Sequence, residues 1–117
     1  MQVDMQALGF PLTEALRERV RRRMDFTLGT RVEHIKRVTV RLSDINGPRG
    51  GKDMCCQIQI VLSQMQDVVI KDTQTDLYVA IDRAFSRAGR SVARQLNRQI
   101  TKQRAPTSVD FNELEYT

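Results

Sequence analysis

The sequence predicts an α+β two-layer sandwich in the element order β-α-β-β-β-α. Four segments alternate apolar and polar residues with a period of two, and two longer segments repeat apolar residues every three or four positions. Each strand segment has one apolar face only. A single four-stranded sheet should therefore bury one side beneath both helices and leave the other to solvent. The 117 residues suit one domain, since domains run to about 100–150 residues. A composition 40% hydrophobic and 28% charged fits a soluble globular chain rather than a disordered one.

The first strand runs from Gln2 to Leu8, with Val3, Met5 and Ala7 on one face and Gln2, Asp4 and Gln6 on the other. Gly9-Phe10-Pro11 breaks it. Thr13 then stands where a helix N-cap belongs, and Glu14 lies in the first turn near the positive end of the dipole. The helix should extend from about Leu12 to Leu28, stop near Gly29, and bury Leu16, Val20 and Met24.

From Arg37 the period returns to two: Val38, Val40 and Leu42 face inward, and Thr39, Arg41 and Ser43 outward. Asn46 to Gly51 is a dense turn signal, flanked by the basic Arg49 and Lys52. Beyond it Cys56, Ile58, Ile60 and Leu62 alternate with Cys55, Gln57, Gln59 and Val61, completing a hairpin. A break at Ser63 to Gln66 leads to a fourth strand, about Asp67 to Asp72, with Val68 and Ile70 inward. Thr75 is the expected N-cap of a long second helix reaching about Thr101. Its apolar stripe is Leu77, Ile81, Ala84, Ala88, Val92 and Leu96. Residues 1–104 form the predicted domain; 105–117 read as a linker and a short acidic, flexible tail.

Neither enzymatic nor metal chemistry is indicated. His34 is the only histidine and has no nucleophile motif beside it, so it reads as a surface residue at a strand entry. The acids show no metal-ligand spacing, and Tyr78 and Asp82 read as packing and helix electrostatics. Adjacent strand residues point to opposite faces, so Cys55 and Cys56 should be one exposed and one buried reduced thiol rather than a disulfide. No cofactor or small-molecule substrate is expected. With no apolar run long enough to span a bilayer and no signal peptide at Met1, the expectation is a cytoplasmic protein without a membrane partner.

Charge is the informative feature. All 19 basic residues precede position 105, against 11 of the 14 acids, so residues 1–104 carry +8 and the tail −3. A basic body favours polyanions, without separating RNA from DNA, lipid or an acidic protein. On the second helix Arg83, Arg87, Arg90, Arg94 and Arg98 fall within an arc of about 80° at 100° per residue, roughly opposite the apolar stripe. Seven basic residues and no acid lie between Arg83 and Arg104. A plain solvated face would intersperse acids, because like charges one turn apart destabilise a helix. Arginine forks onto phosphate, so this face is a candidate phosphate-binding surface. On the first helix Arg17 and Arg21 lie one turn apart and are the pair expected to join it. Aromatics are only 5%, with no Trp, which argues against a single-strand stacking platform of the RRM or OB type and for recognition of backbone and folded RNA shape.

Two stretches carry a family resemblance. Leu12-Thr13-Glu14-Ala15-Leu16-Arg17 after a first strand, and Asp76-Leu77-Tyr78-Val79-Ala80-Ile81-Asp82 opening the last helix, resemble the ribosome hibernation-promoting factor family, which includes ribosome-associated inhibitor A. The likeness extends over about residues 1–100 in element order and spacing. It implies a fold similar to double-stranded-RNA-binding domains. It also implies a partner, the small ribosomal subunit and its rRNA, where such proteins occupy the mRNA and tRNA sites and silence translation in stationary phase or stress. The resemblance puts RNA contact on Arg87, Arg90 and Arg94; Arg83 and Arg98 extend the face by helix geometry alone. The expected state off the ribosome is a monomer. Two other functions fit the charge: a general double-stranded-RNA-binding module, and an adaptor modulating an acidic protein.

Overall fold

The computed structural model describes residues 1–44 and 54–104, with 100–104 as helical backbone only. The expected turn at Asn46 to Gly51, Arg49 and Lys52, and the tail 105–117 lie outside the described residues. The elements are β1 (Gln2–Leu8), α1 (Glu14–Leu28), a 3-10 segment (Gly29–His34), β2 (Ile35–Asp44), β3 (Met54–Leu62), β4 (Val68–Gln74) and α2 (Leu77–Arg104).

The sheet order is β1-β2-β3-β4, with β1 parallel to β2 and the other pairs antiparallel. Register builds the core in rows across the four strands. Val3, Val38, Ile60 and Val68 form one row, and Met5, Val40, Ile58 and Ile70 the next. The third row runs Ala7, Leu42, Cys56 and Asp72, and so ends in a carboxylate on the edge strand. Both helices cover this face, packing Leu16, Val20, Met24 and Leu28 of α1 with Ile81, Ala84, Phe85, Ala88 and Val92 of α2. Removing these side chains from water is the main stabilising term. Phe85, fully buried, continues the stripe four residues after Ile81, an addition to the stripe expected from spacing.

The first helix begins as expected. Thr13 is extended (φ −78°, ψ 163°), and its Oγ1 accepts from the Leu16 N–H at 3.2 Å. Gly9, at φ +92°, ends β1 in a backbone region that favours glycine. Gly29 follows the last α-helical residue but keeps right-handed angles (φ −58°, ψ −32°), and the chain passes into the 3-10 segment instead of stopping. The second helix corrects the expected cap. Asp76, not Thr75, holds its start: Asp76 Oδ1 accepts from the Tyr78 N–H at 2.9 Å and its carbonyl from Ala80 at 3.0 Å. Either side chain can cap, and the fourth strand decides between them by continuing to Gln74 and carrying Thr75 beyond the helix start.

Cys55 is also a correction. It is 2% exposed although it lies on the outer face, and Cys56 is 0% exposed. β3 is interior, so the short Cys55 side chain sits between Ser43 on β2 and Thr73 on β4. Both thiols are free. Burial, followed by the charges of Cys55 and Asp72, pushes the Cys56 thiol up to about 12, so it stays protonated. Among the described residues no helix is long and apolar enough to cross a membrane.

Candidate nucleic-acid interface

Arg83, Arg87, Arg90, Arg94 and Arg98 all lie exposed on one side of α2, because the apolar stripe of that helix is committed to the sheet. This side overhangs the edge strand β4. Ser91, Arg94, Gln95 and Arg98 form a cleft with residues Gln66 to Ile70, and Asp82, Arg83, Ser86, Arg87 and Arg90 line a second, of about 260 Å³.

The carboxylate that partly offsets this charge comes from the sheet. Asp72, 6% exposed, continues the inward phase of Val68 and Ile70. A charge in such a place must be paired. Arg87 Nη1 lies 3.2 Å from Asp72 Oδ2 and donates at 2.8 Å to the Lys71 carbonyl, while Arg83 Nε lies 3.6 Å from the same Asp72 oxygen. Gln74 Nε2 donates at 2.8 Å to Asp72 Oδ1. One carboxylate thus serves two guanidiniums, while Asp82 and Asp67, which also line the two clefts, make no ion pair with these five arginines among the described residues. Arg94 donates to Ser91 Oγ at 3.2 Å. Arg90 and Arg98 have no hydrogen bond or ion pair among the described residues.

The helix–helix groove draws on other arginines than the pair expected to join this face. Arg19 Nη1 donates to both oxygens of Asp82, at 3.2 and 2.9 Å, and its guanidinium carbon lies 4.8 Å from the Tyr78 ring centroid. Arg23 donates to Ser86 Oγ at 2.9 Å, and its Nε lies 3.6 Å from Asp82 Oδ1. At 100° per residue Arg19 and Arg23 stand on one flank of the buried stripe of α1, and Arg17 and Arg21 on the opposite flank. Arg17 and Arg21 therefore turn away from α2 and do not join its arginine face. From 19 to 23 every position of α1 but one is arginine, and helix packing decides which of them meet α2.

Asp72, Arg19 and Arg23 are the site residues that sequence reasoning missed. A signal for Asp72 was present, since it lies two and four residues after the inward Ile70 and Val68. Elsewhere the structure matches the expectation: His34 is an exposed residue at the entry to β2, 3.6 Å from Glu33. Among the described residues no group of three or more His, Cys, Asp or Glu is placed to hold a metal ion.

Comparison with solved structures finds the same architecture. The N-terminal domain of Protein Y from Thermus thermophilus superposes with a TM-score of 0.66 at 26% identity, covering 80% of this chain and 98% of that one. A ribosomal subunit interface protein from Coxiella burnetii gives a TM-score of 0.66 at 15% identity, covering 80% and 96%, a likeness of fold alone. No curated protein matches the chain. The family model described as Sigma 54 modulation protein / S30EA ribosomal protein matches residues 3–104, all but the ends of the sequence. The chain belongs to the Sigma 54 modulation protein / S30EA ribosomal protein family.

Proposed function

We propose that this protein is a non-catalytic translation inhibitor that binds small-subunit ribosomal RNA through the arginine face of α2 and occludes the mRNA and tRNA sites under stress or in stationary phase. Membership of a ribosome-associated family supports the partner. The observation that carries the RNA contact is the exposure of five arginines on one side of α2, of which only Arg83 and Arg87 are paired with a carboxylate, Asp72, among the described residues. Such a face attracts phosphate by releasing condensed counterions, and guanidinium forks fix the protein on the backbone without reading sequence. A protein with this partner works in the cytoplasm.

Arg90, Arg94 and Arg98 are the guanidiniums least engaged inside the protein, so they are assigned the phosphate contacts. Arg87 and Arg83 play two parts, closing over Asp72 and facing solvent. Arg17 and Arg21 stand on a separate flank and contribute, on this reading, only long-range attraction.

Co-sedimentation with purified small subunits at rising salt tests the assignment. The variant Arg90→Glu/Arg94→Glu/Arg98→Glu leaves the Asp72 pairs intact and should lose binding at salt concentrations where the wild type is retained. Undiminished binding would reject the face. Equal affinity for a short RNA duplex would instead indicate a general duplex-binding module. Retention of a partner after ribonuclease treatment would indicate a protein adaptor.

A further inference from the structure

Phe26 is 79% exposed, the most exposed large hydrophobic residue among those described. The others, Met1, Leu8, Val32, Val69 and Val79, are aliphatic, and scattered exposed aliphatics are ordinary on a protein surface. Phe26 differs in its setting. It lies in the last turns of α1, where the other exposed positions are the polar Arg21, Arg22 and Asp25. Phe is a weaker helix former than Arg, Lys or Glu, so local helix stability does not call for it.

The ring is also held. The Arg23 guanidinium carbon lies 5.2 Å from its centroid, within the range of a cation–π contact. Arg23 is in turn anchored on α2 by Ser86 Oγ at 2.9 Å and Asp82 at 3.6 Å. Ser86 and Asp82 line the cleft that also contains Arg83, Arg87 and Arg90. Thr27, the next residue, lies directly against Gly89, which brings Phe26 to the level of the turn bearing Arg90. An open aromatic surface thus stands beside guanidiniums without an apolar rim around it.

We propose that Phe26 is a stacking platform for one unpaired base of ribosomal RNA, with the neighbouring arginines taking the phosphates of that nucleotide. This rests on the arginine-face reading and adds to it a ligand of defined chemistry. A base stacks on an aromatic face whatever its identity, and a neighbouring guanidinium supplies the phosphate contact that a ring alone lacks. An apolar pocket on a ribosomal protein would favour a rim of apolar neighbours, which Arg22 and Arg23 do not provide.

The protein contains no Trp, so Phe26→Trp introduces a single indole at the site. Binding of Phe26→Ala, Phe26→Leu and Phe26→Trp to purified small subunits tests the proposal, with circular dichroism as the folding control. Phe26→Ala should bind about tenfold more weakly, a loss of about 1.4 kcal/mol. Phe26→Leu should be as weak as Phe26→Ala, because leucine keeps apolar bulk but has no π face. Phe26→Trp should bind at least as tightly as wild type, with its emission quenched by added subunits. Wild-type affinity in Phe26→Ala, restoration by Phe26→Leu, or an unquenched indole in the bound state would each overturn the stack. The triple arginine variant, run in parallel, separates the two ideas. Its loss of binding alongside a wild-type affinity in Phe26→Ala defeats the stack alone, whereas its undiminished binding defeats the arginine face.

Discussion

Asp72 and Arg87 join the edge of the sheet to the exposed side of α2: Arg87 Nη1 stands 3.2 Å from Asp72 Oδ2 and 2.8 Å from the Lys71 carbonyl. The pair is asymmetric, since the Asp72 side chain is 5% exposed and that of Arg87 43%. Removal of either partner therefore has different consequences. In Asp72→Asn the arginines return to water, and stability should fall by about 1–2 kcal/mol. In Arg87→Ala the buried carboxylate keeps Gln74 Nε2 at 2.8 Å but no charged partner nearer than Arg83 at 3.6 Å, and the loss should be larger, about 2–3 kcal/mol. Urea denaturation of both single variants and the double checks this. The double variant should lose less than the sum of the two.

Salt dependence of subunit binding should rank the arginines by how far each is engaged within the protein. Removing one guanidinium that neutralises a phosphate should reduce the slope of log K against log salt by about 0.7–0.9. Alanine at Arg90, Arg94 or Arg98 should show that reduction. Alanine at Arg83, which shares Asp72, should show less, and alanine at Arg17 or Arg21 little. A uniform response over all six would mean that net charge, not a face, drives binding.

Gly89 sets the approach of α1 to α2. A Cβ placed there would lie 3.1 Å from the Thr27 carbonyl oxygen and 3.3 Å from the Thr27 Cβ. The Thr27 backbone belongs to a packed helix and cannot yield as a side-chain tip would. Gly89→Ala gains about 1 kcal/mol of helix propensity but should still melt below wild type, because the helices must part. Gly89→Val should be worse by about 1–3 kcal/mol. Thermal denaturation decides it, and a higher melting temperature for Gly89→Ala would show that the helices can separate freely.

The thiols supply a prediction in pH. The folded Cys56 thiol is raised from 9.0 to about 12, chiefly by burial. The unfolded chain therefore releases this proton at lower pH than the folded one. Its contribution to stability is present below about pH 9 and should decline as pH rises from there towards 12. Cys56→Ala should flatten the alkaline part of the stability profile relative to wild type. With Cys55 2% and Cys56 0% exposed, neither thiol should react with a thiol reagent at neutral pH until the protein unfolds.

Much of the fold was legible because hydrophobic burial imposes period two on strands and about 3.6 on helices. Val38, Val40 and Leu42, and Leu16, Val20 and Met24, announce their faces through spacing alone, and all are buried. Thr13 was legible as a cap, since its neighbourhood offers no rival acceptor. Thr75 and Asp76 were two rivals side by side, and strand length chose between them. Cys55 was misread because alternation gives the direction of a side chain, not the height of the neighbours on either side.

The arginine side of α2 was likewise written in its spacing, for a helix of regular pitch gathers residues 83, 87, 90, 94 and 98 however the rest folds. Its balancing charge was not. Asp72 lies 11 and 15 residues before Arg83 and Arg87 and reaches them only because β4 pairs with β3 while α2 folds back across the sheet. Local periodicity thus determined the elements, their inward faces and a basic helix surface. Tertiary packing decided which charges oppose one another: Asp72 with Arg83 and Arg87, and Asp82 with Arg19 and Arg23. The physical reason is one of range. Periodicity acts between residues a few positions apart, whereas an ion pair depends on where distant segments come to rest.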